Sequence, residues 1–418
     1  MAAALGVLAS CGSVKSGEDA IAASRDSKVV VAYVTSWSDV MPDPQCMTHI
    51  NYAFGHVNES FNGVKIDNEE RLKQIVDLKK QKPDLKVLLS IGGWGSGRFS
   101  EMAANDEYRR AFAVDCERVV EEFALDGIDI DWEYPTSSMA NISSSPDDTE
   151  NFTLLMQDIR AAIGNEKELT LATVASARYI DFKAILPSVD FVNIMAYDMA
   201  SAPKHHSALY PSGHSGDITS DGAVTAHLKA GVPPSKLVMG MPFYGRGGDG
   251  YPSFQDYNKV GNTDTQYTEK WDEVAQVPYL ADKNDTLVFG FENPRSLAIK
   301  CQYILDKDLL GGMYWDYSGD NEQGDLRRTV AENLLGKPHK AKVLVLTERG
   351  GQHGGFTDAG LKWLAAEGAK GNFSITEINN ARNITEAYLS QFSLVIQLDF
   401  PPYTWPKEAE DAFVKYIE

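Results

Sequence analysis

Short runs of β-branched or apolar residues alternate along the chain with longer segments in which apolar residues recur at helical spacing. Eight of the short runs predict strands, at residues 29 to 35, 49 to 55, 86 to 93, 127 to 133, 169 to 175, 191 to 197, 237 to 245 and 311 to 317. Helical segments lie between them, for example residues 106 to 125 and 148 to 163. Eight strands with crossover helices predict a (β/α)8 TIM barrel over residues 29 to 338.

The same kind of pattern starts again after residue 338. Predicted strands at 342 to 347, 373 to 378 and 392 to 400 alternate with helical segments at 358 to 370 and 407 to 418. This pattern predicts a second, partial α/β domain of the doubly wound type over residues 339 to 418.

The first 28 residues form a leader and a polar tether. An apolar run, too short to span a bilayer, ends in Leu8-Ala9-Ser10-Cys11, which resembles a bacterial lipobox whose cysteine is lipidated after cleavage. The alternative is a chance match. We predict a secreted or cell-envelope protein, with membrane contact only through a lipid anchor on Cys11.

Composition narrows the range of partners. The chain carries 59 acidic and 39 basic residues, a formal net charge of −20, which argues against nucleic acid because phosphates would be repelled. The four cysteines are scattered and form neither a metal knuckle nor a redox pair, so buried free thiols are expected. We expect a monomer.

The stretch LDGIDIDWEYP, residues 125 to 135, places several acids in a predicted buried strand. Since side chains alternate along a strand, Asp129, Asp131 and Glu133 share one face and point into the barrel. A metal site or a purely structural role could explain them, but we favour proton sharing. Asp129 and Asp131 would share a proton, and like-charge coupling would raise the pKa of Glu133 so that it acts as a general acid. No metal or cofactor is predicted.

The run Asp126 to Pro135 resembles the DxxDxDxE signature of glycoside hydrolase family 18, the chitinases and their relatives. SIGGW (90 to 94), MAYDM (195 to 199), MGMPFYGR (239 to 246) and GGMYWDYSGD (311 to 320) are similar to further motifs of that family, in the same order. The resemblance covers about residues 29 to 335.

The resemblance implies a substrate-assisted hydrolysis that retains the anomeric configuration. Glu133 would be the acid and then the base, Asp131 would bind the acetamido N–H of the sugar, Asp129 would hold a proton, and Tyr197 would contact the acetamido oxygen. Asp126, of opposite parity, would support the strand. The expected substrate-binding residues are Tyr33, Phe54, Trp94, Met195, Asp198, Met241, Tyr244, Arg246 and Trp315.

These features predict an enzyme that cleaves β-1,4-linked N-acetylglucosamine in chitin or chitooligosaccharides. The alternatives are an endo-β-N-acetylglucosaminidase acting on the chitobiose core of N-glycans and a catalytically silent carbohydrate-binding protein. The segment after residue 338 resembles a truncated trehalose-utilisation (ThuA-like) domain, which implies a flavodoxin-like fold, and we assign it no activity.

Overall fold

The computed structural model describes residues 28–248, 251–260, 267–336, 341–347, 354–369, 373–382, 384–390, 392–398 and 405–417. The chain divides into two compact units, Met1–Gly336 and Lys337–Glu418. The predicted leader and Cys11 lie outside the described residues.

A closed barrel of eight parallel strands forms the first unit, as the sequence predicts. We number these strands in chain order: β1 (Val29–Thr35), β2 (His49–Val57), β3 (Lys86–Gly92), β4 (Gly127–Asp131), β5 (Glu168–Val174), β6 (Phe191–Met195), β7 (Leu237–Pro242) and β8 (Gly311–Trp315). Each pairs with the next, and β8 pairs with β1 to close the cylinder. This closure brings the carboxyl ends of all eight strands together at one face, where barrel enzymes hold their active sites.

Alternation along the strands separates two apolar layers. Ile128 and Ile130 of β4 point outward and pack in the large core between the strands and their covering helices, whereas Val31, Phe191 and Met313 pack inside the barrel. The helices of this unit are Glu69–Val76, Phe99–Ala104, Asp106–Glu122, Asp148–Ile163, Phe182–Ile185, Ser220–Ala230, Pro294–Asp306 and Asp325–Leu335. The short strand Val64–Ile66 forms a hairpin with β2.

The chain between β7 and β8 builds an antiparallel sheet. Its five strands are Tyr244–Gly247, Gln255–Asp256, Thr268–Asp272, Val277–Ala281 and Leu287–Gly290. The strand that we predicted over 237 to 245 is therefore two strands, because β7 ends at Pro242 and Tyr244 begins the antiparallel sheet. This sheet carries residues from the carboxyl end of β7 to one side of the cavity described below.

The second unit contains a parallel sheet of three strands, Ala341–Thr347, Phe373–Ile378 and Leu394–Leu398. The first strand lies between the second and the third. Helices Gly354–Ala369, Glu386–Leu389 and Lys407–Ile417 accompany the strands. One apolar cluster around Leu344 and Leu346 and another around Val343 and Val345 show that both faces of the central strand are covered.

Two predictions about composition can be compared with the described residues. Cys46, Cys116 and Cys301 are free and buried, as expected for thiols that pack as small apolar side chains. No described helix is both long enough and apolar enough to cross a bilayer.

Candidate active site

Three acids of the LDGIDIDWEYP stretch lie together at the carboxyl end of β4. Asp129 and Asp131 point into the barrel, as strand alternation predicts, and Glu133 follows in the loop because the strand ends at Asp131. All three side chains are buried, and Glu133, at 9% exposure, is the most accessible. The stretch therefore delivers the carboxyl groups of Glu133 and Asp131 to one cavity, with that of Asp129 beneath them.

Asp129 is enclosed by four neutral hydrogen-bond donors. Its Oδ2 accepts from the hydroxyls of Tyr33 and Ser90, both at 2.8 Å. Its Oδ1 accepts from Thr170 Oγ1 at 2.6 Å and from Asn193 Nδ2 at 3.3 Å. Burial raises the pKa of Asp129, and these hydrogen bonds oppose that rise because they stabilise the carboxylate. Both oxygens thus have partners from four different strands.

Asp131 has a different environment. Its Oδ1 is buried and has no hydrogen-bond partner among the residues that the structure describes. Burial, followed by the negative charges of Glu133 and Asp129, raises the pKa of Asp131 well above its usual range. Neutral donors occupy both oxygens of Asp129, and the sharing of a proton between Asp129 and Asp131 stays a prediction.

Glu133 has the raised pKa that a general acid needs. Burial raises the pKa of Glu133 to about 7, and the negative charge of Asp198 adds to the rise. The sequence predicts like-charge coupling within the strand as the cause of this raised pKa. Burial contributes most to this shift and Asp198 adds a like charge, while the repulsion between Glu133 and Asp131 contributes to the raised pKa of Asp131.

An open cavity of about 800 Å³ lies above these acids. Most predicted site residues line it: Tyr33, Phe54, Trp94, Asp131, Glu133, Met195, Tyr197, Asp198, Tyr244, Arg246 and Trp315. Asp129 lies beneath the lining and is fully buried. Residues from five or more strands therefore converge on one volume large enough for sugar rings.

Met241 is the predicted binding residue that does not line the cavity. It is fully buried in the core between the strands and the covering helices. A Cβ atom placed on Gly312 would meet Met241 Cε at 2.6 Å, beside side-chain atoms of Leu334 and Ile304. The prediction was wrong because Met241 has the outward parity of β7, whereas Val238 points inward.

One wall of the cavity is aromatic. The rings of Phe54 and Trp315 stack with centroids 5.6 Å apart. The ring of Tyr33 also contacts Trp315, with centroids 5.6 Å apart. Trp37 and Trp94 are 64% and 61% exposed at the cavity edge. Flat, exposed rings at the mouth of a cavity suit the C–H faces of pyranose sugars.

A charged pair, Asp198 and Arg246, also lines the cavity. Arg246 Nε and Nη2 donate to the two carboxylate oxygens of Asp198 at 2.6 and 2.5 Å. His206 Nδ1 lies 3.4 Å from Asp198 Oδ1. Burial opposes ionisation of Asp198, but Arg246 and His206 outweigh it and hold the pKa of Asp198 below its usual range. A fixed negative charge therefore faces the site of Glu133.

Glycines allow the close approach of β3 and β4. Gly92 has φ +132°, and a Cβ atom there would lie 2.0 Å from the carbonyl oxygen of Asp131. Gly93 has φ +92°, and its Cβ would lie 2.7 Å from the ring of Phe54. A side chain at Gly92 would meet the backbone of Asp131 and one at Gly93 would meet the ring of Phe54, so both positions suit glycine.

Asp126 supports the strand, as its opposite parity suggested. Lys79 Nζ contacts both of its carboxylate oxygens, at 2.7 and 2.8 Å. The backbone N–H of Val87 donates to Asp126 at 2.8 Å, which joins β4 to the neighbouring strand β3. Asp126 is not among the residues that line the cavity.

Several lining residues were not among the predicted binding residues. They are Trp37, Tyr134, Met139, Ala172, Val174, Ala175, Ser176, Tyr179, Met199, Ile218 and Phe254. Trp37 lies two residues beyond the carboxyl end of β1, so its position in the chain could have predicted that it lines the cavity. Phe254 comes from the antiparallel insertion, and no strand-end pattern marks it.

A closed parallel barrel with a buried acid of raised pKa beneath an aromatic cavity defines the class of carbohydrate-cleaving barrel enzymes. The particular family follows from sequence comparison. Residues 29–320 match the family described as Glycosyl hydrolases family 18. The chain belongs to this family.

Named relatives support the same assignment. The chain is 30% identical to Chitinase A1 of Niallia circulans over 73% of its own length and 58% of that protein. It is 31% identical to Chitotriosidase-1 of Mus musculus over 71% of this chain and 74% of that protein.

Solved structures of the family share the barrel. A glycoside hydrolase family 18 N-acetylglucosaminidase from Paenibacillus barengoltzii aligns with TM-score 0.68 and 33% identity, over 73% of this chain and 100% of that one. The Ostrinia furnacalis Group IV chitinase aligns with TM-score 0.67 and 29% identity, over 73% of this chain and 99% of that one.

Proposed function

We propose that this enzyme hydrolyses β-1,4-linked N-acetylglucosamine in chitin or chitooligosaccharides by substrate-assisted, retaining catalysis. The observation that carries the proposal is Glu133, a buried carboxyl group with a pKa of about 7 at the floor of an aromatic cavity. The names of three relatives, Chitinase A1, Probable chitinase 2 of Drosophila melanogaster and Chitotriosidase-1, support the choice of substrate.

In the proposed reaction, Glu133, the acetamido group of the sugar and a water molecule each take one step. Glu133 donates its proton to the glycosidic oxygen as the bond from that oxygen to the anomeric carbon breaks. The acetamido oxygen of the same sugar attacks the anomeric carbon and forms an oxazolinium ion. Water then attacks the anomeric carbon and gives a proton to Glu133, which restores the acid and retains the configuration.

Asp131 and Tyr197 act on the acetamido group in this proposal. Asp131 turns toward the acetamido N–H, leaves its proton on Asp129 and accepts the N–H hydrogen bond as a carboxylate. The unpartnered Oδ1 of Asp131 supports this, because a buried oxygen without a hydrogen bond gains one by turning. Tyr197, which lines the cavity, donates its hydroxyl to the acetamido oxygen.

Two other functions remain open to the same test. An endo-β-N-acetylglucosaminidase would use the same acid on the chitobiose core of N-glycans, and a silent binding protein would hold the sugar without cleaving it. We would incubate the purified protein with N-acetylchitohexaose and with a high-mannose glycoprotein. Cleavage of the hexasaccharide is expected, whereas glycan release alone or binding without turnover would contradict the proposal.

For the second unit we propose a partial flavodoxin-like domain, related to ThuA-like domains. The order of its strands, with the first between the second and the third, supports this because flavodoxin-like sheets begin in that order. We assign it no activity. Circular dichroism and thermal unfolding of residues 337 to 418 expressed alone would test whether it folds by itself.

We propose that the protein is a monomer that is secreted or held at the cell envelope by a lipid on Cys11. The lipobox-like run before Cys11 supports the anchor. Labelling with radioactive palmitate in a bacterial host is expected to mark the full-length protein and not a Cys11→Ala variant. Equal labelling of both would contradict the anchor, and sedimentation velocity would measure the oligomeric state.

A further inference from the structure

Three side chains form a stacked group at the edge of the cavity. The ring of Phe254 lies over the ring of Tyr244 with centroids 4.6 Å apart and planes inclined by 24°. The guanidinium of Arg246 lies 5.4 Å from the centroid of each ring. Because Arg246 also holds Asp198 through two hydrogen bonds, the group is fixed on two sides.

Phe254 has no part in the steps proposed above, yet it lines the cavity and is 42% exposed. Its neighbour Tyr244 is buried and touches the ring of Tyr197 edge-on, at 6.0 Å between centroids. Phe254 therefore lies one aromatic contact further out than Tyr244 along the cavity wall. A large apolar side chain left open to water inside a cleft is typical of a ligand-binding surface.

We propose that Phe254 is a specificity-determining residue that stacks on a sugar ring outside the position where Glu133 acts. The inference rests on the proposed function and deepens it, since it makes recognition depend on the length of the saccharide. A pyranose ring presents a face of C–H groups that packs on an aromatic ring. Because Tyr244 and Arg246 already hold Phe254, little side-chain freedom is lost when the sugar binds.

The insertion that carries Phe254 gives the inference its structural basis. Phe254 directly precedes the strand Gln255–Asp256, which pairs with Tyr244–Gly247 through Gln255 and Gly245. The stacked pair Tyr244 and Phe254 therefore belongs to two hydrogen-bonded strands of the same antiparallel sheet. The enzyme would thus extend its cleft with a short sheet that follows β7.

The test measures binding in a Glu133→Gln background, so that the saccharide is not cleaved. Titration calorimetry would compare N-acetylchitobiose with N-acetylchitohexaose. Phe254→Ala is expected to weaken binding of the hexasaccharide about fivefold to tenfold, the scale of one aromatic contact, and to leave the disaccharide unchanged. Phe254→Trp is expected to restore the affinity for the hexasaccharide.

A matched control removes another exposed ring. Tyr108 is 37% exposed on the helix Asp106–Glu122 and does not line the cavity, so Tyr108→Ala should change neither affinity. Equal affinities with and without Phe254, or an equal loss for both saccharides, would overturn the inference. A loss for both that is accompanied by an altered pH dependence in the active enzyme would show that Phe254 only holds Arg246.

The outcome is separable from that of the proposed function. If the Glu133→Gln protein with Phe254 intact binds neither saccharide and the unaltered enzyme cleaves neither, the proposed function fails and this inference fails with it. If the enzyme cleaves the hexasaccharide but Phe254→Ala has no effect on its binding, only the inference fails.

Discussion

The hydroxyl of Tyr33 donates a hydrogen bond of 2.8 Å to Oδ2 of Asp129 across the interior of the barrel. This bond joins β1 to β4, which are not neighbours in the sheet. Tyr33 also contacts Trp315 on its ring side, at 5.6 Å between centroids. One side chain thereby connects the buried acid beneath the cavity to the aromatic wall.

Replacing Tyr33 by phenylalanine tests the role of this bond. Tyr33→Phe keeps the ring but removes one of the donors that stabilise the carboxylate of Asp129, so the pKa of Asp129 rises and Asp129 returns its proton to Asp131 less readily in the proposed cycle. We expect kcat on N-acetylchitohexaose to fall about tenfold, the scale of a hydrogen bond to a charged group. Tyr52→Phe is the control, because Tyr52 donates to backbone oxygens of Asp67 and Asn68. An unchanged kcat in Tyr33→Phe would contradict the role.

The pH dependence of kcat/KM reports the acid in the free enzyme. Because the pKa of Glu133 is raised to about 7, the acid is protonated below that pH and loses its proton above it. Activity should therefore fall as the pH rises through about 7. A pH–rate profile on a soluble chromogenic oligosaccharide measures this fall in activity. A plateau that extends well into alkaline pH would contradict the assignment of Glu133 as the acid.

Asp198→Asn should change the pH at which the activity falls. The negative charge of Asp198 raises the pKa of Glu133, so its removal lowers this pKa and shifts the fall in activity to lower pH. Loss of a single nearby charge shifts a pKa by about one unit or less in a partly solvated site. An upward shift, or a fall in activity that stays at the same pH while kcat decreases, would show that Asp198 acts only by position.

A buried ion pair outside the cavity predicts a stability effect. Lys300 and Glu292 contact each other with both side chains fully buried, and Lys300 Nζ also donates to the carbonyl oxygen of Ser207. Lys300→Met leaves Glu292 without its cation, which costs about 3 to 5 kcal/mol in comparable buried pairs. Urea unfolding should show the loss, whereas Lys270→Met, at an exposed pair with Asp285, should leave the midpoint nearly unchanged.

The periodicity of apolar residues predicted the barrel, because alternation in strands and helical spacing between them are both local patterns. The alternation of Ile128, Asp129, Ile130 and Asp131 is a property of neighbouring residues, and it placed the acids inside and the isoleucines outside. The predicted strands and the strand-end rule together located the cavity. The alternation within β4 was therefore correct in the structure, whereas the predicted strand over 237 to 245 is two strands.

One error concerns a motif residue, and two features that were missed depend on distant parts of the chain. Met241 was assigned to the cavity because of its motif, although its parity on β7 points it at Leu334 and Ile304. The predicted cause of the raised pKa of Glu133 lies within its own strand, whereas the negative charge of Asp198, which follows β6, also raises this pKa. The sequence did not predict that Phe254 lines the cavity, because its contact with Tyr244 depends on strand pairing within the insertion.

The central claim is that Glu133 supplies the proton while the substrate supplies the nucleophile. The most direct measurement is kcat of Glu133→Gln on N-acetylchitohexaose, made together with calorimetric binding of the same saccharide. We predict that kcat falls at least about a hundredfold, as for loss of a general acid, while the affinity changes by less than about threefold. Turnover within about tenfold of the unaltered enzyme would contradict the account.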